Sequence, residues 1–262
     1  MYVRSCALVP TLLAGASFGQ ALKIDLNSHF GVPSASHLPT PHSVEGQWNG
    51  VDTFSANDPP VELVGLDGTP SGVFLSMPLS TTAPVAVHAT DPVVTGDNLA
   101  LHDDGFAAGQ SPERIRLDGL EDQWYFIMSF GPASIEAPTS ITFRANFLSK
   151  AFYSYTGGWN AGSSASQWGV NYVSTTLYVE GGWLEIDWKA NSATHDGVLS
   201  AVQIVPWCYA DCTQDGGLDI FDWICFGSEY GAAYYRADCD QNQVLNIFDY
   251  ICFGNAYAAG CP

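Results

Sequence analysis

The feature that most constrains this chain is a near-duplication at its C-terminal end. The segment 210–227, Ala-Asp-Cys-Thr-Gln-Asp-Gly-Gly-Leu-Asp-Ile-Phe-Asp-Trp-Ile-Cys-Phe-Gly, returns as 237–254, Ala-Asp-Cys-Asp-Gln-Asn-Gln-Val-Leu-Asn-Ile-Phe-Asp-Tyr-Ile-Cys-Phe-Gly. Two copies are too few for a solenoid, whose units stack in longer series. They suit a pseudo-twofold pair whose apolar faces meet.

Each copy carries a run of oxygen-bearing side chains. With Asp211 as position 1, Thr213, Asp215, Asp219 and Asp222 occupy positions 3, 5, 9 and 12, and the carbonyl of Gly217 occupies position 7. The second copy supplies Asp238, Asp240, Asn242, Asn246 and Asp249, with the carbonyl of Val244. That spacing is the one a twelve-residue calcium loop uses. Alternate side chains of a tight loop point inward, and position 12 closes the shell from the start of a following helix. Two Ca2+ ions are therefore expected. Gly216 provides the sharp turn at position 6 of the first loop, where the second has Gln243. Ile220 and Ile224, and likewise Ile247 and Ile251, are four residues apart, the spacing of one helix face.

Cysteine marks the same region. Of seven cysteines, Cys6 lies near the N-terminus, and Cys208, Cys212, Cys225, Cys239, Cys252 and Cys261 all fall after residue 206. An even set packed into a short exported segment reads as three disulfides, with fifteen possible pairings. The repeat favours Cys212–Cys225 and Cys239–Cys252, with Cys208–Cys261 closing the ends; pairing across the repeats fits as well.

This arrangement resembles the type I dockerin, with two calcium-loop-plus-helix units that lack the entering helix of a true EF-hand. The resemblance implies a module that plugs its protein into a cohesin-like or other cell-surface partner. It also implies that positions 10 and 11, here Ile220, Phe221, Ile247 and Phe248, contact that partner. Family members often have small polar residues at these positions, and this chain has large apolar ones.

The remainder is organised differently. Residues 1–21 have one basic residue, an apolar run and a Gly19-Gln20-Ala21 ending, the pattern of a secretory signal peptide. Residues 22–206 are expected to form an all-β domain. Gly, Pro and Asn punctuate short alternating runs, and no helical period is sustained. Ile141, Phe143, Ala145 and Phe147 fall on one strand face, Leu184, Ile186 and Trp188 on another, and Trp124–Phe130 reads as a central strand buried on both sides. The predicted fold is thus a mostly β protein: a jelly-roll-type β-sandwich over 22–206, then a small helical module over 207–262. The stretches Gln47-Trp48-Asn49-Gly50-Val51, Leu66-Asp67-Gly68-Thr69-Pro70-Ser71-Gly72-Val73, Ile115-Arg116-Leu117-Asp118-Gly119-Leu120 and Leu199-Ser200-Ala201-Val202-Gln203-Ile204 resemble galactose-binding-like jelly rolls. That resemblance implies a sandwich that often recognises carbohydrate.

A net charge of -19, from 27 acidic against 8 basic residues, repels phosphate backbones and makes nucleic acid an improbable partner. After residue 21 no stretch has the ~20 apolar residues a membrane helix needs. Residues 22–206 contain no Gly-x-Ser-x-Gly, His-Glu-x-x-His or phosphate loop. Gly96-Asp97-Asn98-Leu99 has the outline of an esterase block with Asn98 in the nucleophile's place. Asp103-Asp104, Glu121-Asp122 and Glu185 with Asp187 are paired carboxylates of the type glycosidases use. Asp97, Asp103 and Asp104 are also candidates for a cation at a sandwich edge. Ring-rich, glycine-rich sequence at 152–160 places Tyr153, Tyr155, Trp159 and Asn160, followed by Trp168, as candidate sugar contacts. The expected function is a secreted or surface-associated, non-catalytic protein. It binds extracellular polysaccharide or a surface partner and is tethered by its C-terminal module. The alternatives are a polysaccharide-degrading enzyme (a glycoside hydrolase or esterase) and a structural envelope protein.

Overall fold

A computed structural model describes residues 20–40, 43–52, 57–78, 85–88, 95–102, 104–132, 135–145, 150–158, 166–213, 217–239 and 244–260. The signal-peptide reading of 1–21 therefore falls almost wholly outside the described residues.

In chain order the strands are β1 (Leu22–Leu26), β2 (Asn49–Val51), β3 (Val61–Val64), β4 (Pro70–Ser76), β5 (Val85–His88), β6 (Asp104–Ala108), β7 (Glu113–Asp118), β8 (Trp124–Phe130), β9 (Glu136–Arg144), β10 (Lys150–Gly157), β11 (Tyr172–Tyr178), β12 (Trp183–Ala190), β13 (Gly197–Leu199) and β14 (Ala201–Pro206). Helix α1 (Asp97–His102) precedes β6, and α2 (Ile220–Gly231) and α3 (Ile247–Ala259) follow β14. Three sheets result, ordered β11-β8-β14-β1-β2, β10-β9-β12-β7-β4-β3 and β13-β6-β5. Among the described residues these strands pair antiparallel except β1 with β2, which pair parallel.

The two larger sheets pack as a β-sandwich, and the alternation in sequence explains which faces meet. Leu184, Ile186 and Trp188 of β12 and Ile141, Phe143 and the adjoining Ala145 of β9 point inward. They join Leu22, Ile24 and Leu26 of β1 and Ile127 of β8 in one apolar core. Phe147 lies outside the described residues. Trp188 is fully buried, and its indole N–H donates to the Phe106 carbonyl at 2.9 Å, so the ring is held without an orphaned donor.

Strand β8 is buried almost throughout because its other face is covered as well. Met128 and Phe130 pack with Trp48 and with Leu101 of α1 in a second apolar cluster. That same outer face buries Lys23, Asp25 and Gln203. Helix α1 departs from the all-β expectation for 22–206. Six residues are fewer than two turns, too short to leave a 3.6-residue period in sequence.

The boundary at Pro206–Trp207 is where β14 ends, and the chain does not become a free linker there. The Trp207 N–H donates to the Trp124 carbonyl at 2.8 Å. The Tyr209 ring stacks on Trp124 at 5.3 Å, and Trp207 lies 5.4 Å from Phe126. The C-terminal helices are thus seated on the sandwich. Their own core is aromatic: Phe226 and Phe253, one from each repeat, stack at 4.2 Å with Trp223, Tyr250 and Tyr257 around them. That is the meeting of equivalent faces the duplication predicts. Cys212–Cys225 and Cys239–Cys252 are bonded, each with Cα atoms 5.8 Å apart, and Cys208 is disulfide-bonded too. Its expected partner Cys261 lies outside the described residues.

Candidate functional site

The two predicted cation loops lead into α2 and α3 in the same way. Asp219 and Asn246 cap the helices, accepting from the N–H of Phe221 at 2.7 Å and of Phe248 at 2.8 Å. The third helical residue closes a capping box in each case, since Asp222 accepts from the Asp219 N–H and Asp249 from the Asn246 N–H, both at 2.8 Å. Such a box satisfies donors that a helix start leaves open.

The second oxygen of each carboxylate turns back to the head of its loop. Asp222 accepts from the backbone N–H and the hydroxyl of Thr213, both at 3.0 Å, and Asp249 from the Cys239 N–H at 2.9 Å. Both carboxyls are wholly buried. Burial works against the charge on Asp222, but the N–H groups of Asp219, Thr213 and Cys212 hold its carboxyl below the usual range.

In the first loop the side-chain oxygens at positions 1, 3 and 12 converge. The Thr213 hydroxyl is 3.5 Å from an Asp211 oxygen and 3.0 Å from an Asp222 oxygen. Asp215, Asp240 and Asn242 lie outside the described residues. In the second loop Asp238 is largely buried, and the Val244 carbonyl accepts from the Asn246 amide at 2.8 Å. All these donors are hard oxygens, the set a calcium-sized cation takes. Cys212, Cys225 and Glu229 also cluster, but those sulfurs are bonded to each other and Glu229 pairs with Arg236 at 3.4 Å. That group is a staple beside an ion pair, with no free thiolate for a soft metal.

The disulfides and the aromatic core use one face of each helix and leave the other in solvent. Ile220, Phe221 and Ile224 of α2 expose 57–63% of their surface, and Ile247, Phe248 and Ile251 of α3 expose 52–64%. Positions 10 and 11 of both loops are therefore at the surface, with a second isoleucine one turn on in each helix.

The candidate sugar contacts divide. Tyr155 is a core residue: its hydroxyl donates to the Val198 carbonyl, and burial pushes its pKa far up. Tyr153 is partly buried against the core, bonds Thr175 at 3.2 Å and meets Trp168 edge-on at 6.3 Å. Trp168 is 58% exposed, and Trp159 and Asn160 lie outside the described residues. Inward pairing of Tyr153 with Ile141 sets the β10 register, so it is Phe152, opposite Thr142, that faces outward, 72% exposed.

The paired carboxylates are engaged elsewhere. Glu185 and Asp187 point away from the core into a clasp of three arginines. Arg114 holds Asp187 at 2.5 and 3.0 Å and Glu185 at 3.0 Å; Arg116 holds Glu185 at 3.0 Å; Arg144 holds Asp187 at 2.6 Å. Asp122 accepts from the Gly182 N–H at 3.0 Å, and Glu121 is exposed. Asp97 bonds the Ser34 N–H and hydroxyl at 2.7 and 2.6 Å, whereas buried Asp104 accepts from the Phe30 N–H at 3.1 Å. These two carboxylates thus serve separate loop contacts, and Asp103 lies outside the described residues. His102 is fully buried between the Gly131 carbonyl at 2.7 Å and the Ser166 hydroxyl at 2.8 Å, and burial pushes its pKa down to about 4.

The chain matches no protein-family model and no curated protein. Solved structures give distant likenesses. YxiM from Bacillus subtilis is 14% identical, with a TM-score of 0.37 over 71% of this chain and 40% of that one. The ANXUR2 extracellular domain from Arabidopsis thaliana is 10% identical, with a TM-score of 0.36 over 72% and 41%. An exo-β-1,3-galactanase from Phanerochaete chrysosporium, solved with galactose, is 9% identical, with a TM-score of 0.29 over 46% and 26%. The chain spans less than half the length of each.

Proposed function

We propose that this is a secreted, non-catalytic binding protein. Its sandwich takes an extracellular carbohydrate, and its C-terminal segment is a calcium-dependent, dockerin-like tether. The observation that carries the tethering half is the duplicated apolar ridge. Six large apolar side chains, three at equivalent positions of each repeat, stand more than half exposed. Apolar side chains left exposed together along one face of each helix mark an interaction site. In the first loop Asp211, Thr213, Asp215, Asp219 and Asp222 with the Gly217 carbonyl would hold one Ca2+. In the second, Asp238, Asp240, Asn242, Asn246 and Asp249 with the Val244 carbonyl would hold another. Bound cations would offset the crowding of carboxylates at the two helix starts and fix the loops that aim the ridge.

Two observations support a non-catalytic sandwich. Glu185 and Asp187 are each held by arginines on both oxygens, and His102 is sealed in the interior. The test is to pass the full processed chain over a panel of polysaccharides, recording retention and reducing-end release together. Retention without release is expected. Release would replace this reading with a hydrolase, and neither would favour a structural envelope role.

A further inference from the structure

Two equivalent positions of the repeat, Tyr209 and Arg236, stand two residues ahead of Asp211 and Asp238, the first ligands of the two loops. They differ in chemistry and are joined to each other. The Tyr209 hydroxyl donates to the Arg236 carbonyl. Burial pushes the pKa of Tyr209 far up, so the hydroxyl keeps the proton it donates. The carbonyl it meets belongs to a 3-10 turn, Tyr235–Ala237, that leads directly into Asp238. Ala210 and Ala237, between each of these residues and its loop, are buried, so neither entry can shift without disturbing close packing.

The sandwich holds this junction. Tyr209 stacks on Trp124 of β8 with ring centroids 5.3 Å apart and planes at 24°, and Trp124 is itself met edge-on by Tyr178 of β11 at 5.9 Å. The Arg236 guanidinium lies 5.6 Å over the Trp207 ring and pairs with Glu229 of α2 at 3.4 Å. Tyr209 also meets Phe226 and Phe253 edge-on, at 6.4 and 6.1 Å. One tyrosine therefore touches the sandwich, both helices and the entry to the second loop, and its own backbone is the entry to the first. It uses the helix faces that carry the aromatic core, so the seat leaves the exposed ridge open.

A cation binds more tightly to ligands already in place, because less chain freedom is lost on binding. We infer that Tyr209, held by Trp124, is a positioning residue for both calcium loops, so that the sandwich raises the calcium affinity of the C-terminal segment. The inference rests on the calcium-dependent tether of the proposed function and adds its regulation. Coupling between two sites is reciprocal, so calcium at the loops also tightens the seat, and its removal loosens the helices from the sandwich.

The experiment is a calorimetric calcium titration of the full, disulfide-bonded chain, with ellipticity at 222 nm read in parallel. Wild type is compared with Tyr209→Phe, Trp124→Ala and Phe152→Ala. Tyr209→Phe keeps the ring and removes one hydrogen bond, and is expected to weaken calcium binding about fivefold. Trp124→Ala changes no residue of the C-terminal segment, yet is expected to weaken binding by up to about tenfold, the scale of a lost aromatic stack. Phe152→Ala, at an exposed ring of the other sheet, is expected to change nothing. In saturating calcium Tyr209→Phe should reach the wild-type ellipticity, which separates positioning from loss of fold. Wild-type affinity in both seat variants would overturn the inference and leave the calcium reading standing. So would a helical signal in Tyr209→Phe that saturating calcium does not restore, since the tyrosine would then serve the core alone. A wild-type chain that takes up no calcium would overturn both.

Discussion

Trp188 in β12 and Phe221 in α2 are both large rings placed by a regular period, and they meet opposite fates. Trp188 is sealed between two sheets of long strands, while Phe221 stands 60% exposed on a twelve-residue helix. The sandwich has enough strands to cover its apolar faces from both sides, and none of its residues from 22 to 206 is a cysteine. The C-terminal segment has two short helices that can close over one layer of rings, Phe226 against Phe253, and no more. A segment that small gains too little from burial to offset its chain entropy unaided. Disulfides supply what the core cannot, and the apolar residues left over stay outside, where they are available to a partner.

The comparison is broken most forcefully by Trp188→Ala. Removing a fully buried indole is expected to cost about 3–5 kcal/mol, read as a lower denaturant midpoint in tryptophan fluorescence. The helical signal at 222 nm should persist past that midpoint. If both signals fall together, the seat formed by Trp124, Trp207 and Tyr209 makes the two regions one cooperative unit. The converse change is Cys239→Ser with Cys252→Ser. It should cost the helical segment about 2–4 kcal/mol and lower ellipticity at 222 nm, while sandwich unfolding is unchanged.

A third prediction separates the regions by pH. Asp25 is fully buried, and among the described residues neither of its carboxyl oxygens has a hydrogen-bond partner. Burial, with added repulsion from Asp104 and Asp52, pushes its pKa up to about 9. The folded chain keeps a proton that the unfolded chain releases, so this group lowers stability as pH rises from the ordinary carboxylate range towards 9. His102 acts in the opposite sense. Its folded pKa of about 4 means that the unfolded chain takes up the proton first, so stability is lost as pH falls from about 6.5 to about 4. Asp25→Asn is therefore expected to raise sandwich stability at pH 8 by roughly 1–3 kcal/mol. It should also steepen the acid loss that Asp25 otherwise offsets. Melting temperatures at pH 5, 6.5 and 8 read both effects, and an equal shift at all three would refute the assignment. The smallest effect on stability is expected from Phe221→Ser with Phe248→Ser. It should stay within about 0.5 kcal/mol because both rings are exposed, yet remove whatever docking the ridge performs.

Much of the plan was legible in the sequence. Alternation at Leu184-Glu185-Ile186-Asp187-Trp188 identified both the strand and its inward face, because a period of two survives any tertiary context. The duplication foretold that equivalent apolar faces would meet, as Phe226 and Phe253 do, and favoured the two disulfides found without excluding pairing across the repeats. Tyr155 was misplaced among the ligand contacts, since a ring between glycines and serines looks the same whether it faces a sugar or a core. The arginine clasp was missed for a different reason. Arg114 and Arg116 alternate with Ile115 and Leu117 as visibly as Glu185 and Asp187 alternate with their neighbours, but only the register of β7, β12 and β9 puts them together. Helix α1 was too short to show a period at all.

The measurement that bears most directly on the account is a calcium titration of the full chain with disulfides intact, following heat and ellipticity at 222 nm together. Two ions per chain, a rise in helical signal on binding, and loss of both in Asp211→Ala with Asp238→Ala are predicted. A chain that binds no calcium and whose helices ignore chelator would contradict the central claim, leaving the repeat as a disulfide-held pair of acidic turns.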